Sequence, residues 1–143
     1  MSAADEMTLR SGVNAFESKQ FATAMQLLSP LAEQGNAEAQ YRVAIMHQNG
    51  LIGSADLQRA ATMMQRAADQ NHPLAQHGIG FMYMEGEGVR QDITQAIEWF
   101  EKAATQGLTG SLTTLGMIYQ EGKGVPIDEA KAKAYYQQAG FEM

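Results

Sequence analysis

Residues 73–107 carry the hydrophobic pattern of two short amphipathic helices joined by a glycine turn. In the first half, apolar side chains recur at the spacing of one face of a helix with about 3.6 residues per turn. These residues are Ala75, Ile79, Met82 and Tyr83. Pro73 is placed to open this helix, because a residue of the first turn needs no N–H donor. The turn Gly86-Glu87-Gly88 predicts its end, since closely spaced glycines weaken a helix and permit positive φ.

The second half of this segment predicts another helix, which starts after Asp92. An aspartate at this position is typical of an N-cap, because its carboxylate accepts from the backbone N–H groups of the following turn. The apolar positions that follow are Ile93, Ala96, Ile97, Phe100, Ala103 and Ala104. Gly107 is expected to end the helix in the left-handed conformation. Together the two halves predict a helix–turn–helix hairpin.

The same hairpin recurs along the chain with a period of 36 residues. Five columns of small or capping residues share this step, which indicates a repeat architecture. The columns are Ala44, Gly80 and Gly116; Gly50, Gly86 and Gly122; Asp56, Asp92 and Asp128; Ala60, Ala96 and Ala132; and Ala67, Ala103 and Ala139. The small residues Ala44, Gly80 and Gly116 are expected to face Ala60, Ala96 and Ala132 and to let the paired helices approach closely.

Stacking of these hairpins decides the predicted fold, because a single hairpin cannot bury its apolar face. We therefore predict an all-α fold, an α-solenoid of four stacked helix–turn–helix hairpins in a single repeat domain over residues 1–143. The units are about 4–36, 37–71, 72–107 and 108–143. In the first unit, the separation of Gly12 and Ala24 is four residues shorter than that of Gly80 and Ala96, which predicts a shorter turn. Phe100 is expected in the core between the third and fourth units.

Composition narrows the classes of function. With 143 residues, 45% of them hydrophobic, the chain has the composition of one globular domain. The absence of cysteine excludes disulfides, thiolate metal sites and thiol nucleophiles. A net charge of −6 disfavours nucleic acid and anionic lipid surfaces as partners. No apolar stretch approaches the roughly 18 residues of a membrane span, and the N-terminus shows no export signal, so we expect cytoplasmic residence.

The repeat sequence resembles the Sel-1-like repeat, a relative of the tetratricopeptide repeat. The resemblance rests on Gly86-Glu87-Gly88-Val89 followed by Asp92, Ala96, Trp99-Phe100, Lys102-Ala103-Ala104 and Gln106-Gly107, and the fourth unit matches as closely. It covers about 37–143 firmly and 4–36 loosely, where the first unit is more similar to an ordinary tetratricopeptide hairpin. The resemblance implies a bacterial adaptor or scaffold protein, or a regulatory or inhibitory partner of another protein.

Candidate catalytic residues are sparse. A zinc or hydrolytic site needs converging groups at ligand spacing, such as two histidines at i and i+4 with a carboxylate nearby. His47 falls in a core column, His72 in a turn between units and His77 on a first helix, so we expect no metal or cofactor. We therefore predict a non-enzymatic protein. The alternative is a hydrolase or β-lactam-binding activity, as the resemblance to cysteine-rich relatives suggests, and a pocket with a nucleophile bonded to a base would favour it.

The first helix of each unit is expected to line a concave groove that binds a protein or peptide. Four positions of each first helix, counted from the small-residue column, point away from the second helix. They supply the candidate groove residues Leu9, Val13, Phe16, Tyr41, Ile45, His77, Phe81, Met84, Glu85, Thr113, Met117, Gln120 and Glu121. The alternative is that this aromatic and methionine stripe is core. Tyr41, Phe81, Met84 and Met117 are the predicted anchors.

The sequence predicts two further surface features, an acidic lip beside the groove and an apolar edge at the last helix. Glu85, Glu87 and Glu121 form an acidic lip, which favours an amphipathic helix or an extended peptide with basic flanks. A second surface is the C-terminal edge formed by Tyr135, Tyr136 and Phe141, which no later repeat in the sequence covers. This edge predicts either a homodimer or a face that the tyrosine hydroxyls keep hydrated.

Overall fold

The computed structural model describes residues 1–142, and these residues form eight α-helices without strands. The helices are α1 (Ala3–Glu17), α2 (Phe21–Glu33), α3 (Ala37–Gln48), α4 (Leu57–Asp69), α5 (Pro73–Glu85), α6 (Ile93–Thr105), α7 (Thr109–Glu121) and α8 (Glu129–Gln138). Each helix packs on the helix before it and the helix after it, and α1 also contacts α3. The all-α solenoid of four stacked hairpins is thereby confirmed. Met143, the last residue of the predicted fourth unit, lies outside the described residues.

The helix starts follow the predicted capping residues. The side chains of Asp56, Asp92 and Asp128 each accept a hydrogen bond from the backbone N–H three residues later, at 3.0–3.1 Å. Pro73 occupies the first turn of α5, and the N-cap of that helix is His72. The aspartate column therefore marks the start of α4, α6 and α8, because each carboxylate satisfies an N–H group that has no partner within its helix.

The glycine turns hold the left-handed backbone that the sequence predicted. Gly86 and Gly88 both have a φ of 71°, and Gly107 has a φ of 89°. Gly88 is constrained a second time, because a Cβ atom there would collide with the carbonyl oxygen of Leu57 at the start of α4. This turn therefore needs glycine both for its backbone conformation and for the close approach of the preceding hairpin.

The turn of the first hairpin is shorter than the other three, as predicted. Residues 18–20 connect α1 to α2, whereas residues 86–92 connect α5 to α6. The short turn is closed without glycine by Lys19, which has a φ of 62°. The first hairpin thus keeps the helix pairing of the repeat without its glycine loop.

Phe100 is fully buried, which confirms its predicted place in the core. Its ring lies against Gly80 of α5, where a Cβ atom would come within 2.9 Å of the ring, and it belongs to one apolar cluster with Leu115 and Ile118 of α7. Gly116 receives the ring of Tyr136 in the same way. The atoms nearest to these two glycines are therefore aromatic, so the small column also makes room for large side chains of the second helix.

Candidate protein-binding surface

The first helices of the four hairpins, α1, α3, α5 and α7, are joined along the solenoid by polar contacts. Arg42 of α3 reaches Glu17 of α1 at 3.3 Å, and the ring Nδ1 of His77 on α5 lies 2.8 Å from the hydroxyl of Ser111 on α7. Gln48 of α3 donates to Glu87, which follows α5, at 3.3 Å. These contacts link the four hairpins to one another through residues on or next to their first helices.

Partly exposed apolar side chains run along this side and form what we call the first-helix face. Two positions of each first helix supply most of it: the residue after the small column and the residue three before it. The first-helix face consists of Leu9, Val13, Tyr41, Ile45, Leu74, His77, Phe81, Thr113 and Met117. At its centre Phe81 is 37% exposed and Leu74, two turns earlier on α5, is 44% exposed.

Leu74 is the one residue of this face that the sequence interpretation missed. It lies seven residues before Phe81, and residues at i and i+7 share a helix face. That spacing was the signal that could have found it.

Met84 was wrongly placed among the groove anchors, because it is only 4% exposed. It lies four residues after Gly80, and a helix advances about 100° per residue, so its side chain points only about 40° away from that glycine. This direction faces the next hairpin, where Met84 joins Leu115 and Ile118 in the core. The methionine is therefore part of the packing between hairpins and is not available to a partner.

Phe16 and Gln120 occupy the repeat position of Met84 on α1 and α7, but both are less buried than Met84. Phe16 is half-buried, with the guanidinium of Arg42 4.9 Å from its ring centre. Gln120 is exposed, and its side-chain oxygen accepts from the hydroxyl of Tyr136 at 2.8 Å. Phe16 and Gln120 therefore lie at the border of the first-helix face and do not form its centre.

The acidic lip is partly neutralised within the chain. Glu85 forms an ion pair with Lys123 at 3.0 Å, and Glu87 accepts from Gln48, whereas Glu121 is exposed.

The net charge nevertheless differs between the two sides of the solenoid. The first helices carry six carboxylates and two arginines, and the second helices carry five carboxylates and five basic side chains. The side that carries the first-helix face is therefore the acidic side.

Glu38 on α3 ties the second hairpin to the third. Its carboxylate lies 2.6 Å from Nε2 of His72 and 2.9 Å from Arg42. Nδ1 of His72 accepts from the backbone N–H of Ala75, so Nε2 is the nitrogen that donates to Glu38. The His72 hydrogen bond, followed by Arg42, lowers the pKa of Glu38 from 4.5 to about 2 against the opposing effect of burial. The carboxylate is thus charged at neutral pH and already bonded.

The pair formed by His77 and Ser111 is a base beside a hydroxyl, the local pattern of a nucleophile. Ser111 is fully buried, so its hydroxyl is closed to a substrate in this conformation. Burial lowers the pKa of His77, which favours the neutral ring at pH 7. Their hydrogen bond joins α5 to α7, so it is a contact in the packing of the third hairpin on the fourth. Among residues 1–142, no group of three or more His, Asp or Glu side chains is arranged to hold a metal ion.

Both tyrosine hydroxyls of the C-terminal edge form hydrogen bonds within the chain. The hydroxyl of Tyr135 donates to Glu101 at 2.7 Å, and that of Tyr136 donates to Gln120 at 2.8 Å. Burial and the Glu101 hydrogen bond raise the pKa of Tyr135. Phe141 packs edge-on against Tyr136 and remains exposed. Both tyrosines are half-buried, so Phe141 is the most exposed of the three rings at this edge.

In the part of the chain that the structure describes, no helix has the length and apolar character needed to span a membrane.

Comparison with known proteins shows what the fold is similar to. Two of the solved structures that match it are at least 30% identical to this chain in sequence. A Sel1 repeat protein from Oxalobacter formigenes is 30% identical, with a TM-score of 0.82 over 92% of this chain and 54% of that one. The protein c5321, a protective antigen present in uropathogenic Escherichia coli strains, displays an SLR fold and is 32% identical, with a TM-score of 0.85 over 94% of this chain and 30% of that one.

More distant relations extend this picture. Cysteine-rich protein B of Helicobacter pylori is 21% identical over 76% of this chain and 92% of that one, and its TM-score of 0.60 reflects a shared fold. No curated protein matches the chain significantly. The chain spans about half and about a third of the lengths of the two more similar structures.

The family model named Sel1 repeat matches three consecutive segments of the sequence, 37–72, 73–108 and 112–140. These segments contain the second, third and fourth hairpins. The first hairpin, which has the short turn and no glycine loop, lies outside the match. Since the matched segments make up most of the sequence, the chain belongs to the Sel1 repeat family.

Proposed function

We propose that this chain is a non-enzymatic interaction module that binds a protein or peptide segment along the first-helix face. Sel1 repeats commonly form protein–protein interaction modules and are generally non-catalytic. The observation that carries the proposal is the exposure of Phe81 and Leu74 at the centre of this face. Large apolar side chains that stay exposed on one helix face are typical of binding surfaces, where they give contact area in a complex.

The charge of the acidic side favours a basic partner. Asp5, Glu6 and Glu121 have no ion-pair partner within the described residues, and they lie on the first and last of the four first helices. A segment with apolar anchors for Phe81 and its neighbours, flanked by lysine or arginine, complements both properties. An amphipathic helix or an extended peptide with basic flanks meets this description.

The biological role that fits such a module is that of an adaptor, a scaffold or an inhibitory partner of another protein. Each of these roles needs a rigid surface and no reacting group. The net charge of −6 argues against nucleic acid as the partner. Cytoplasmic residence stays a prediction, which fractionation of native cells checks.

A hydrolase is the weaker candidate. The buried hydroxyl of Ser111 is the feature that opposes it, because a nucleophile must reach its substrate. A β-lactam site lacks a specific observation in its favour, since the relatives that suggest it are cysteine-rich and this chain has no cysteine.

The proposal is tested by capture from a native lysate with identification by mass spectrometry. Phe81→Asp places a charge at the centre of the first-helix face. Leu57→Asp is the matched control, because Leu57 is also 37% exposed but lies on α4, a second helix. We expect a set of proteins that bind the native chain and Leu57→Asp but are lost with Phe81→Asp. Helical circular dichroism and the melting midpoint should be nearly the same in all three.

A second variant separates loss of binding from loss of folding. Glu121→Lys reverses an exposed charge at the border of the first-helix face without changing an apolar contact. We expect weaker capture of the same proteins, with the loss largest at low ionic strength. Equal capture by the native chain, Phe81→Asp and Glu121→Lys would show that the partner binds elsewhere.

A further inference from the structure

One ion pair joins the first helices of two stacked hairpins at fixed repeat positions. Arg42 of the second hairpin reaches Glu17 of the first at 3.3 Å, and its guanidinium lies 4.9 Å from the ring centre of Phe16. Arg42 lies two residues before Ala44 of the small-residue column. Glu17 lies five residues after Gly12, the member of that column in the first hairpin. An arginine at the first of these positions can therefore bind a glutamate at the second position of the hairpin before it.

The first and fourth hairpins carry the same two charges without a partner. Arg10 lies two residues before Gly12, and Glu121 lies five residues after Gly116. Both side chains are exposed, and neither forms an ion pair within residues 1–142. If the first hairpin of a second copy stacked on the fourth hairpin, these two charges would stand in the same relation as the ion pair between the first and second hairpins.

Met7 marks a stacking position on the outer face of the first hairpin. It lies five residues before the small-residue column, where the later hairpins have the fully buried residues Ala39, Ala75 and Ser111. Met7 is 67% exposed, although α1 already packs on α2 and α3. The later hairpins differ from the first in packing also on a hairpin before them. Met7 is therefore exposed because no such neighbour covers it within the described residues.

The outer face of the fourth hairpin fits a first hairpin better than a hairpin with a glycine loop. Within the chain, the glycine loop of each later hairpin lies against the start of the preceding second helix, with Gly88 on Leu57 and Gly124 on Ile93. In the fourth hairpin this starting residue is Glu129, which is exposed. A glycine loop would cover its carboxylate, and burial of an unpaired charge is costly. The short turn of the first hairpin would leave Glu129 in water.

The two outer faces offer a limited apolar contact. Tyr136 is half-buried, whereas Phe100 at the same repeat position is fully buried beneath the next hairpin. On the outer face of the first hairpin, Met7 is apolar, but Ser11 and Asn14 stand where the later hairpins have buried apolar residues. Contact between these faces is therefore weaker than stacking within the chain, and association through them is reversible.

We propose that copies of this chain stack head to tail, with the first hairpin of one copy on the fourth hairpin of the next. Arg10 of one copy pairs with Glu121 of its neighbour, and Met7 covers the half-buried ring of Tyr136. Since the two surfaces differ, the contact is heterologous and further copies can add at either end. It differs in this from a two-fold homodimer at the C-terminal edge. The contact does not depend on the function proposed for the first-helix face.

Sedimentation equilibrium of the full chain at low ionic strength tests the proposal without any partner protein. From about 10 µM to about 1 mM, the average mass should rise above the 15.6 kDa of one chain without a plateau at two chains. Arg10→Glu and Glu121→Arg each replace the ion pair by two like charges. Each should lower the association constant about five- to tenfold.

Charge exchange supplies the decisive controls. The double variant Arg10→Glu/Glu121→Arg restores opposite charges and should associate like the native chain, as should an equimolar mixture of the two single variants. Arg66→Glu makes the same charge change on α4 in the second hairpin, where Arg66 is exposed. It should leave the association unchanged. Circular dichroism should be the same for all variants, since every altered side chain is exposed.

Three results would overturn the proposal. The first is an average mass that stays at one chain up to about 1 mM. The second is equal weakening by Arg10→Glu and Arg66→Glu, which would reduce the effect to net charge, and the third is a double variant that associates no better than the single ones. A plateau at two chains that Arg10→Glu does not change would show a two-fold homodimer at the C-terminal edge instead.

Discussion

Replacing Phe100 by alanine removes the largest fully buried side chain of the described residues. The ring fills the space above Gly80, lies 5.1 Å from the ring of His77 and contacts the cluster of Leu115 and Ile118. Gly80 has no side chain that could move into the void, so the cavity left by Phe100→Ala should stay open. We therefore expect a loss of about 3 to 5 kcal/mol in the free energy of unfolding, the range for such truncations.

Urea denaturation of Phe100→Ala measures this loss with two probes. Circular dichroism follows all eight helices, and the fluorescence of Trp99 follows the third hairpin next to the altered site. Repeat proteins can unfold in part. A urea midpoint that is lower by fluorescence than by circular dichroism would therefore place the weakened region at α5 and α6. Phe81→Ala is the matched control, because it removes the same ring from an exposed position and should cost less than about 1 kcal/mol. A loss below about 1 kcal/mol for Phe100→Ala itself would refute the helix phase assigned here.

Three further predictions concern the turns, the charge network and the C-terminal edge. Gly88→Val should lower the free energy of unfolding by more than about 1 kcal/mol, since it adds a clash with the Leu57 carbonyl to the strain of a positive φ; Gly107→Val, with open space around it, should cost less, and an equal cost would exclude the clash as the cause. Glu38→Gln should cost about 1 to 2 kcal/mol near pH 7, discounted for partial exposure. Because the folded pKa of Glu38 is lowered, the native chain should lose this advantage as the pH falls from 4.5 to about 2, and a difference independent of pH would contradict the ion network. Sedimentation at micromolar concentration tests the homodimer, which Tyr136→Glu should dissociate; a monomer near 15.6 kDa in both would remove it.

The repeat fold was predictable because its signals are local and recur. Asp92 caps a helix through its own neighbours, and Gly86 and Gly88 adopt a conformation that few other residues tolerate. Each signal is weak alone, but a constant step of 36 residues places it in the same element each time. The short first turn was visible for the same reason, as a change in that step.

The burial of Met84 was not predictable from the periodicity of α5. Periodicity shows which side chains face the partner helix of the same hairpin, whereas Met84 faces the next hairpin. Gln120 occupies the same repeat position and is exposed. The exposure of this position depends on stacking, which the pattern of a single helix does not contain.

The network around Glu38 was missed because its members are far apart in the sequence. His72 lies 34 residues after Glu38, and neither residue belongs to a motif. A histidine directly before Pro73 was the available signal, since the residue before the first helical turn is an N-cap position. What that signal does not show is which carboxylate the second ring nitrogen contacts, because this depends on the packing of the second hairpin on the third.

The most direct test of binding at the first-helix face is NMR of the methionine methyl groups in the complex with a captured partner. Met117 lies on the face, whereas Met63 lines a groove of α4 on the second-helix side. The chain has 10 methionines, so its methyl groups sample both sides and the core. Addition of the partner should shift the Met117 methyl signal and leave that of Met63 unchanged, and Phe81→Asp should abolish the shift. A shift of Met63 with Met117 unchanged would contradict the assignment of the binding surface.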